Sequence, residues 1–169
     1  MNNMRDVYVE KVTLNIGTGG PGESLDKAIR LLNNITNAKP VPTKTNRRIP
    51  AWDIRPGLQI GCKVTLRKKK AHELLLRLFT AKGNKLQEKN FDDAGNVSFG
   101  ILEYLDIPGV EYDMQIGIIG LEAAVTLARP GFRIKNRRIA PRRISKKVRI
   151  NKEESIKFIR DKYGVIIER

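Results

Sequence analysis

Residues 17–22, Gly-Thr-Gly-Gly-Pro-Gly, match the G-x-G-x-x-G spacing that holds a dinucleotide pyrophosphate against a helix N-terminus. They also stand where that motif belongs, between a strand pattern and a helix pattern. The rest of the apparatus is missing. An acidic residue for the ribose is due about 20 positions further on, but residues 39–44 read Lys-Pro-Val-Pro-Thr-Lys. No Gly-Lys-Ser/Thr follows the glycines, so a phosphate-gripping loop of the nucleotidase kind is not indicated. Two other readings stay open: a plain flexible turn, and a loop whose backbone N–H groups meet an RNA phosphate at a helix N-terminus.

The remaining groups that could do covalent or metal chemistry are few. His72 is the only histidine and Cys62 the only cysteine, which excludes multi-His and Cys-rich metal sites and leaves little from which to build a His-based triad. Cys62 falls on the apolar phase of a strand pattern, where a thiol is inert packing. His72 lies among lysines and is expected at the surface. Asp92 and Asp93 are adjacent in a turn signal rather than paired across a cleft. No catalytic residue, metal ligand or cofactor is expected.

The charge distribution is more informative. The chain carries 33 Lys and Arg against 18 Asp and Glu, a formal charge of +15. Residues 39–70 hold ten of those bases with one acid, Asp53, and residues 123–152 hold eleven with none. Elsewhere acids outnumber bases. Such segregation reads as a surface built for a polyanion, and in bulk that means nucleic acid. The lysines of residues 67–70, at the start of a helix pattern, oppose the helix dipole unless an anion sits nearby, although a merely solvated run is the plain alternative. Residues 129–149 repel one another unless solvated or neutralised by phosphates, and the doublets Arg137-Arg138 and Arg142-Arg143 suit guanidinium–phosphate forks. Zinc-finger spacing, basic-zipper heptads and the aromatic signature of single-strand readers are absent. With aromatics at 6%, base stacking is not expected to dominate, and shape and phosphate recognition of structured RNA fits better.

The elements that would position these residues follow from periodicity. Val12, Leu14 and Ile16 alternate in a first strand over 7–16, with Val7 and Val9 out of phase, as at a bulge or a later strand start. Leu25, Ala28, Ile29, Leu32 and Ile35 predict a helix over 23–36. Residues 37–57 are proline-rich loop with a short extended piece near 41–44. Leu58, Ile60, Cys62, Val64 and Leu66 alternate in a strand over 58–67, and Lys63, Thr65 and Arg67 share its polar face. A helix over 70–82 stops at Gly83. The turn 93–96 leads to a strand through Val97, Phe99 and Ile101, and another strand runs from Ile119 to Pro130. Asn151 with Glu154 three residues later opens a last helix to Tyr163 and Gly164. The mixture has no βαβ rhythm, so the expected fold class is α+β: one domain over 1–169, mainly antiparallel, with helices covering one sheet face and a basic C-terminal extension. No apolar run approaches the ~20 residues of a membrane span, and no secretory leader is evident, so a cytosolic protein is expected.

Residues 54–67, IRPGLQIGCKVTLR, resemble the ribosomal protein L five family of the large subunit. The likeness extends to VEKVTLNIGTG (9–19), NAKPVPTKTNRRI (37–49) and FDDAGNVSFGI (91–101), with Asn37-Ala38 and Thr45 departing from the family pattern. The chain starts nearly at the first strand, and its ending, LARPGFRIKNRRIAPRRISKKVRINKEESIKFI, is similar to the archaeal and eukaryotic branch.

The resemblance implies a non-enzymatic protein that binds 5S rRNA, helps attach it in the central protuberance, meets P-site tRNA through a loop, and bridges to a small-subunit head protein. The implied 5S rRNA surface comprises Asn15, Gly17, Gly19, Thr43, Lys44, Arg47, Arg48, Lys63, Thr65 and Arg67. Pro50, Trp52, Ile54, Arg55, Pro56 and Gly57 fall on the implied tRNA-facing loop, with a core-anchored Trp52 as the alternative. Arg133, Lys135, Arg137, Arg138, Arg142, Arg143, Lys146 and Lys147 are expected to meet further large-subunit rRNA. Residues 88–122 hold eight acids and one base, Lys89, and are expected to face solvent or a basic protein neighbour. Two rivals remain: a general nucleic-acid compaction protein, and an enzyme that uses the glycine turn for a dinucleotide.

Overall fold

The computed structural model describes residues 3–168. Its first strand, β1 (Tyr8–Gly17), contains the bulge that the phase break predicted: the register shifts between Val9 and Lys11, and the extra residue turns Val9 inward beside Val12, Leu14 and Ile16. A glycine-rich turn leads into α1 (Glu23–Thr36), which matches the predicted helix and buries Leu25, Ala28, Leu31, Leu32 and Ile35. Then follow β2 (Val41–Lys44), β3 (Gln59–Leu66) and α2 (Lys68–Ala81). Past α2 come β4 (Lys85–Gln87), β5 (Val97–Ile101), β6 (Leu121–Ala128), α3 (Lys152–Tyr163) and β7 (Ile166–Glu168).

Five strands form one antiparallel sheet in the order β2-β3-β1-β6-β5. The fold is therefore α+β, as expected. Because side chains alternate, each strand sends one set inward: Cys62, Val64 and Leu66 from β3, Val97, Phe99 and Ile101 from β5, and Leu121, Ala123, Val125 and Leu127 from β6. Helices α1 and α2 pack on that face, against β3 and β1 respectively. Phe79 of α2 stacks on Phe99 at 5.6 Å between centroids, and Tyr163 meets the Phe79 ring edge-on at 5.3 Å, which brings α3 beside α2. Among the described residues, no helix covers the opposite sheet face.

Periodicity did not foresee β4 and β7, which pair in parallel as a separate two-stranded sheet. Three-residue strands are too short to show alternation, and their pairing joins distant parts of the chain. The capping box at α3 is present, with the Asn151 N–H donating to Glu154 Oε2 at 3.2 Å, and Gly164 closes the helix at φ 66°.

Candidate nucleic-acid interface

The open sheet face brings together five of the residues assigned to 5S rRNA: Asn15, Gly17, Thr43, Lys63 and Thr65. Registration sets Thr43 opposite Gly61, Val41 opposite Lys63, Lys63 opposite Asn15, and Thr65 opposite Thr13. Directly paired residues point to one side of a sheet, so Thr43, Lys63, Thr65, Asn15 and Thr13 share this face. The hydroxyls of Thr13 and Thr65 lie 3.4 Å apart. Further across, Asn15 is opposite Glu122, and Ala124, Ser98 and Gly100 follow. The face thus grades from basic and hydroxylated on β2 and β3 to small and acidic on β6 and β5. Arg67 lies just beyond β3, where its guanidinium meets Glu10 at 3.5 Å. This loose, exposed pair leaves the cation available to another anion.

Gly17 and Gly61 are register partners beside Lys63; Gly17 is exposed, whereas Gly61 is buried. A Cβ on Gly61 would fall 2.5 Å from the Ile16 carbonyl oxygen, so the packing itself requires glycine there.

The glycine turn does not behave as a phosphate cradle. The N–H groups of Thr18 and Gly19 both donate to the Ile60 carbonyl, at 2.9 and 3.2 Å, and Thr18 Oγ1 donates to Gly20 O at 2.9 Å. Glu23 and Asp26 occupy the first turn of α1, where their carboxylates already answer the helix dipole. These two N–H groups are therefore engaged within the sheet, and Gly17 and Gly19 lie at an uncluttered surface. The dinucleotide reading lacks its setting, because the strand after α1, β2, is separated from β1 by the antiparallel β3 where that site needs adjacent parallel strands.

Beyond β2, residues 45–58 form a loop whose ends are tied together. Thr45 N donates to Leu58 O at 2.9 Å and Gly57 N to Thr45 O at 2.8 Å. Arg47 and Arg48 are exposed at its entry, continuing from Lys44. At its tip, Ile49 and Ile54 bridge around a 3-10 turn (Pro50–Trp52), and Asp53 takes the left-handed conformation at φ 51°. Trp52 is 71% exposed, which rejects the core-anchored alternative. Pro50, Arg55, Pro56 and Gly57 are exposed with it. Ile54 is the correction within this set: it is only 7% exposed. Its side chain is turned inward, so it presents no outward surface.

The second basic segment leaves β6 through Arg129, which sequence reasoning counted among the phosphate-facing bases. Arg129 is 8% exposed; its Nη2 donates to Glu154 Oε1 at 2.7 Å and its Nη1 to Val148 O at 3.2 Å. It is an internal tie between β6, α3 and the loop. The other bases differ. Arg133, Lys135, Arg137, Arg138, Arg142, Arg143, Lys146 and Lys147 are all exposed, and among the described residues none of them meets a carboxylate. Backbone contacts fold the segment on itself: Arg142 N donates to Ile134 O at 3.2 Å, and Arg137 Nε to Ala140 O at 2.7 Å.

Cys62, Asp92 and His72 each have a definite place in the fold, and that of His72 differs from its expected one. Burial pushes the Cys62 thiol up to about 11, far from the reactive range. Asp92 accepts from the Asn96 N–H at 2.8 Å and from Asn96 Nδ2 at 2.9 Å, the geometry of a turn former. His72, expected at the surface, is half-buried and shares a 2.6 Å hydrogen bond with the Tyr163 hydroxyl through Nδ1. Burial first, and then the nearby Lys162 ammonium, hold its imidazole below the usual value.

The acidic section forms the long connection from β5 to β6. Tyr104, Ile107 and Ile116 are buried beneath it, and the Tyr104 hydroxyl accepts from the Asp113 N–H at 3.2 Å. Glu103, Asp106 and Glu111 are exposed alongside the large apolar side chains of Leu102, Tyr112, Met114 and Ile118.

Comparison with known proteins bears on the whole chain. Two family models match: Ribosomal protein L5 over residues 2–55, and the C-terminus of the same ribosomal family over residues 59–159. Among curated relatives, a protein of Nanoarchaeum equitans named large ribosomal subunit protein uL5 is 51% identical over 165 residues, 97% of each chain. Proteins of the same name from Sulfurisphaera tokodaii and Methanosphaera stadtmanae are 47% and 42% identical over 168 residues. The match covers 99% of this chain in both cases, and 95% and 100% of theirs.

Proposed function

Since the chain belongs to the ribosomal protein L5 family, and so is a structural, non-enzymatic protein of the large ribosomal subunit, we propose that it binds 5S rRNA. Its open sheet face and the adjoining 44–48 segment would form the contact. The observation that carries this reading is the uncovered face on which Thr43, Lys63, Thr65, Asn15 and Thr13 converge, with Arg47 and Arg48 beside it. Lysine and guanidinium groups neutralise phosphates there, hydroxyl and amide groups reach sugar and phosphate oxygens, and Gly17, exposed and with no atom near its missing Cβ, admits an RNA backbone closely. Binding in this manner helps attach 5S rRNA in the central protuberance.

Two further contacts belong to the same proposal. The exposed Trp52, set between Pro50 and Pro56 with Arg55, offers a stacking plane and a cation to P-site tRNA. The acidic β5–β6 connection, with its exposed Leu102, Tyr112, Met114 and Ile118, suits a basic protein of the small-subunit head, since acids and apolar groups together repel RNA and favour a cationic protein surface. The acid-free 133–147 stretch meets large-subunit rRNA.

A competition experiment tests the main claim. Purified protein bound to labelled 5S rRNA at moderate salt is challenged with unlabelled 5S rRNA or with duplex DNA of equal length. The expected result is displacement by RNA at far lower concentration; equal displacement by DNA favours the general compaction protein instead. Footprinting of 5S rRNA then identifies the nucleotides touched.

A further inference from the structure

The second basic segment encloses something more specific than a charged surface. A cavity of about 300 Å3 lies between the 94–96 turn, the end of β6 and the loop that leads to α3. Leu127, Phe132, Ile144 and Ile150 supply its apolar lining, and Lys135, Arg143 and Arg149 its charge. Among the described residues no carboxylate lines it. Of the two acids just before the turn, Asp93 is exposed and outside the lining, and Asp92 holds the amide nitrogen of Asn96 at 2.9 Å. The Asn96 carboxamide belongs to the wall.

The wall is firm. Ile150 is 1% exposed, and a Cβ on Gly95 would come within 2.7 Å of its Cγ2, so turn and loop are pressed together. Arg149 Nε donates to Ile144 O at 3.3 Å, and the Lys135 ammonium lies 5.6 Å from the centre of the Phe132 ring. Small-ligand sites combine apolar walls with a few placed polar groups, in volumes from about 300 Å3 upward. Apolar walls with an aromatic ring suit a flat heterocycle. Three cations without an acid suit phosphate, and a carboxamide suits the polar edge of a base.

We propose that this cavity takes one unstacked nucleotide of structured RNA, its base inside against Phe132 and Ile144 and its phosphate against Arg143, Arg149 and Lys135. The site deepens the ribosomal reading above and rests on it for the source of the RNA. Solvent-facing arginines on the same segment, Arg137, Arg138 and Arg142, are placed to meet flanking phosphates, which a free nucleotide lacks.

The test is a titration of the full-length, 15N-labelled protein, followed by amide shifts, with adenosine monophosphate, inorganic phosphate and a five-nucleotide oligoadenylate. Adenosine monophosphate should shift Ala94, Asn96, Phe132 and Ile144 to saturation, whereas phosphate should leave Ala94 and Ile144 unmoved. The oligonucleotide should shift the same amides and bind at least about tenfold more tightly at low salt, because it adds phosphate contacts. Ile144→Trp, which fills the cavity from its half-buried rim, should weaken both nucleotide ligands about tenfold, and Arg47→Glu should not. Should Ile144→Trp disturb the spectrum as a whole, Arg143→Ala carries the same expectation and leaves the Arg149–Ile144 bond of the wall in place. Identical shifts from phosphate and adenosine monophosphate would overturn the pocket, and equal affinity for mononucleotide and oligonucleotide would overturn its assignment to RNA. The 5S rRNA competition is a separate readout, so loss of one claim leaves the other standing.

Discussion

In residues 39–70 the polar groups of β2 and β3 stand on a strand ladder, with loop bases beside them, whereas residues 129–149 rest on a few anchors: buried Arg129 and Ile150, and half-buried Phe132. In the first region, antiparallel registration fixes Lys63 beside Asn15 and Thr65 beside Thr13, so the spacing of recognition groups is set by the fold before RNA arrives. In the second, short turns space the bases, and repulsion among them is opposed by one internal ion pair. Similar charge therefore yields two kinds of surface. One is preorganised and presents a face; the other is a tied loop whose order depends on its anchors.

The largest effect expected is that of salt on the sheet-face interaction. With about six to eight phosphates neutralised, the log–log slope of 5S rRNA affinity is about −5 to −7, a fall of roughly a thousandfold or more between 50 and 200 mM salt. Salt-independent binding would remove the phosphate account of both regions. Next comes the double reversal Arg47→Glu/Arg48→Glu, expected to weaken 5S rRNA binding by about 30- to 100-fold and to flatten the slope by about 2. The melting curve should stay unchanged, since both side chains are exposed.

Glu154→Gln probes the other side of the comparison. It removes the charged acceptor of Arg129 Nη2 and should cost about 2 kcal/mol in denaturant unfolding. If the two regions are independent, 5S rRNA affinity of the folded variant is preserved; a parallel loss of affinity would merge them. Smaller still, Trp52→Ala should change stability by less than about 0.5 kcal/mol and spare 5S rRNA while weakening tRNA contact in assembled ribosomes.

The smallest effect is one of pH. His72 has a lowered value in the fold, so the folded state binds fewer protons than the unfolded chain just below the usual histidine range. Its contribution is complete above that range and is lost as pH falls through the lowered value. A modest drop in melting temperature on acidification from about pH 7.5 to about 5.5, reduced in His72→Gln, is the expected signature. Lysine and arginine side chains keep their charge across that interval, so RNA affinity of the folded protein should change little.

Much of the fold was legible in the sequence where periodicity and burial coincide. Helix 23–36 could be read because its apolar residues recur at helical spacing, and β3 because alternation runs without a fault. Even the bulge in β1 showed as a phase break at Val9. Legibility ended where partners are distant. Arg129 looked like any other base of its run, because its neutralising carboxylate lies 25 residues on and local spacing does not reveal it. Ile54 sits in a loop between exposed neighbours, and its burial depends on how that loop folds, which local spacing does not reveal. In the Gly17–Gly22 turn, spacing alone did not show that Ile60 on the neighbouring strand takes two of its N–H groups.

Gly61 has a consequence for inheritance. Its lack of a side chain is enforced by the Ile16 carbonyl 2.5 Å from where a Cβ would sit, not by anything bound on the open face. A lineage that lost RNA binding would still keep this glycine as long as it kept the sheet, while Lys63 beside it drifted. In any alignment of relatives, retention at 61 would therefore report that the chain still folds this way, and retention at 63 would report that the face still has something to hold.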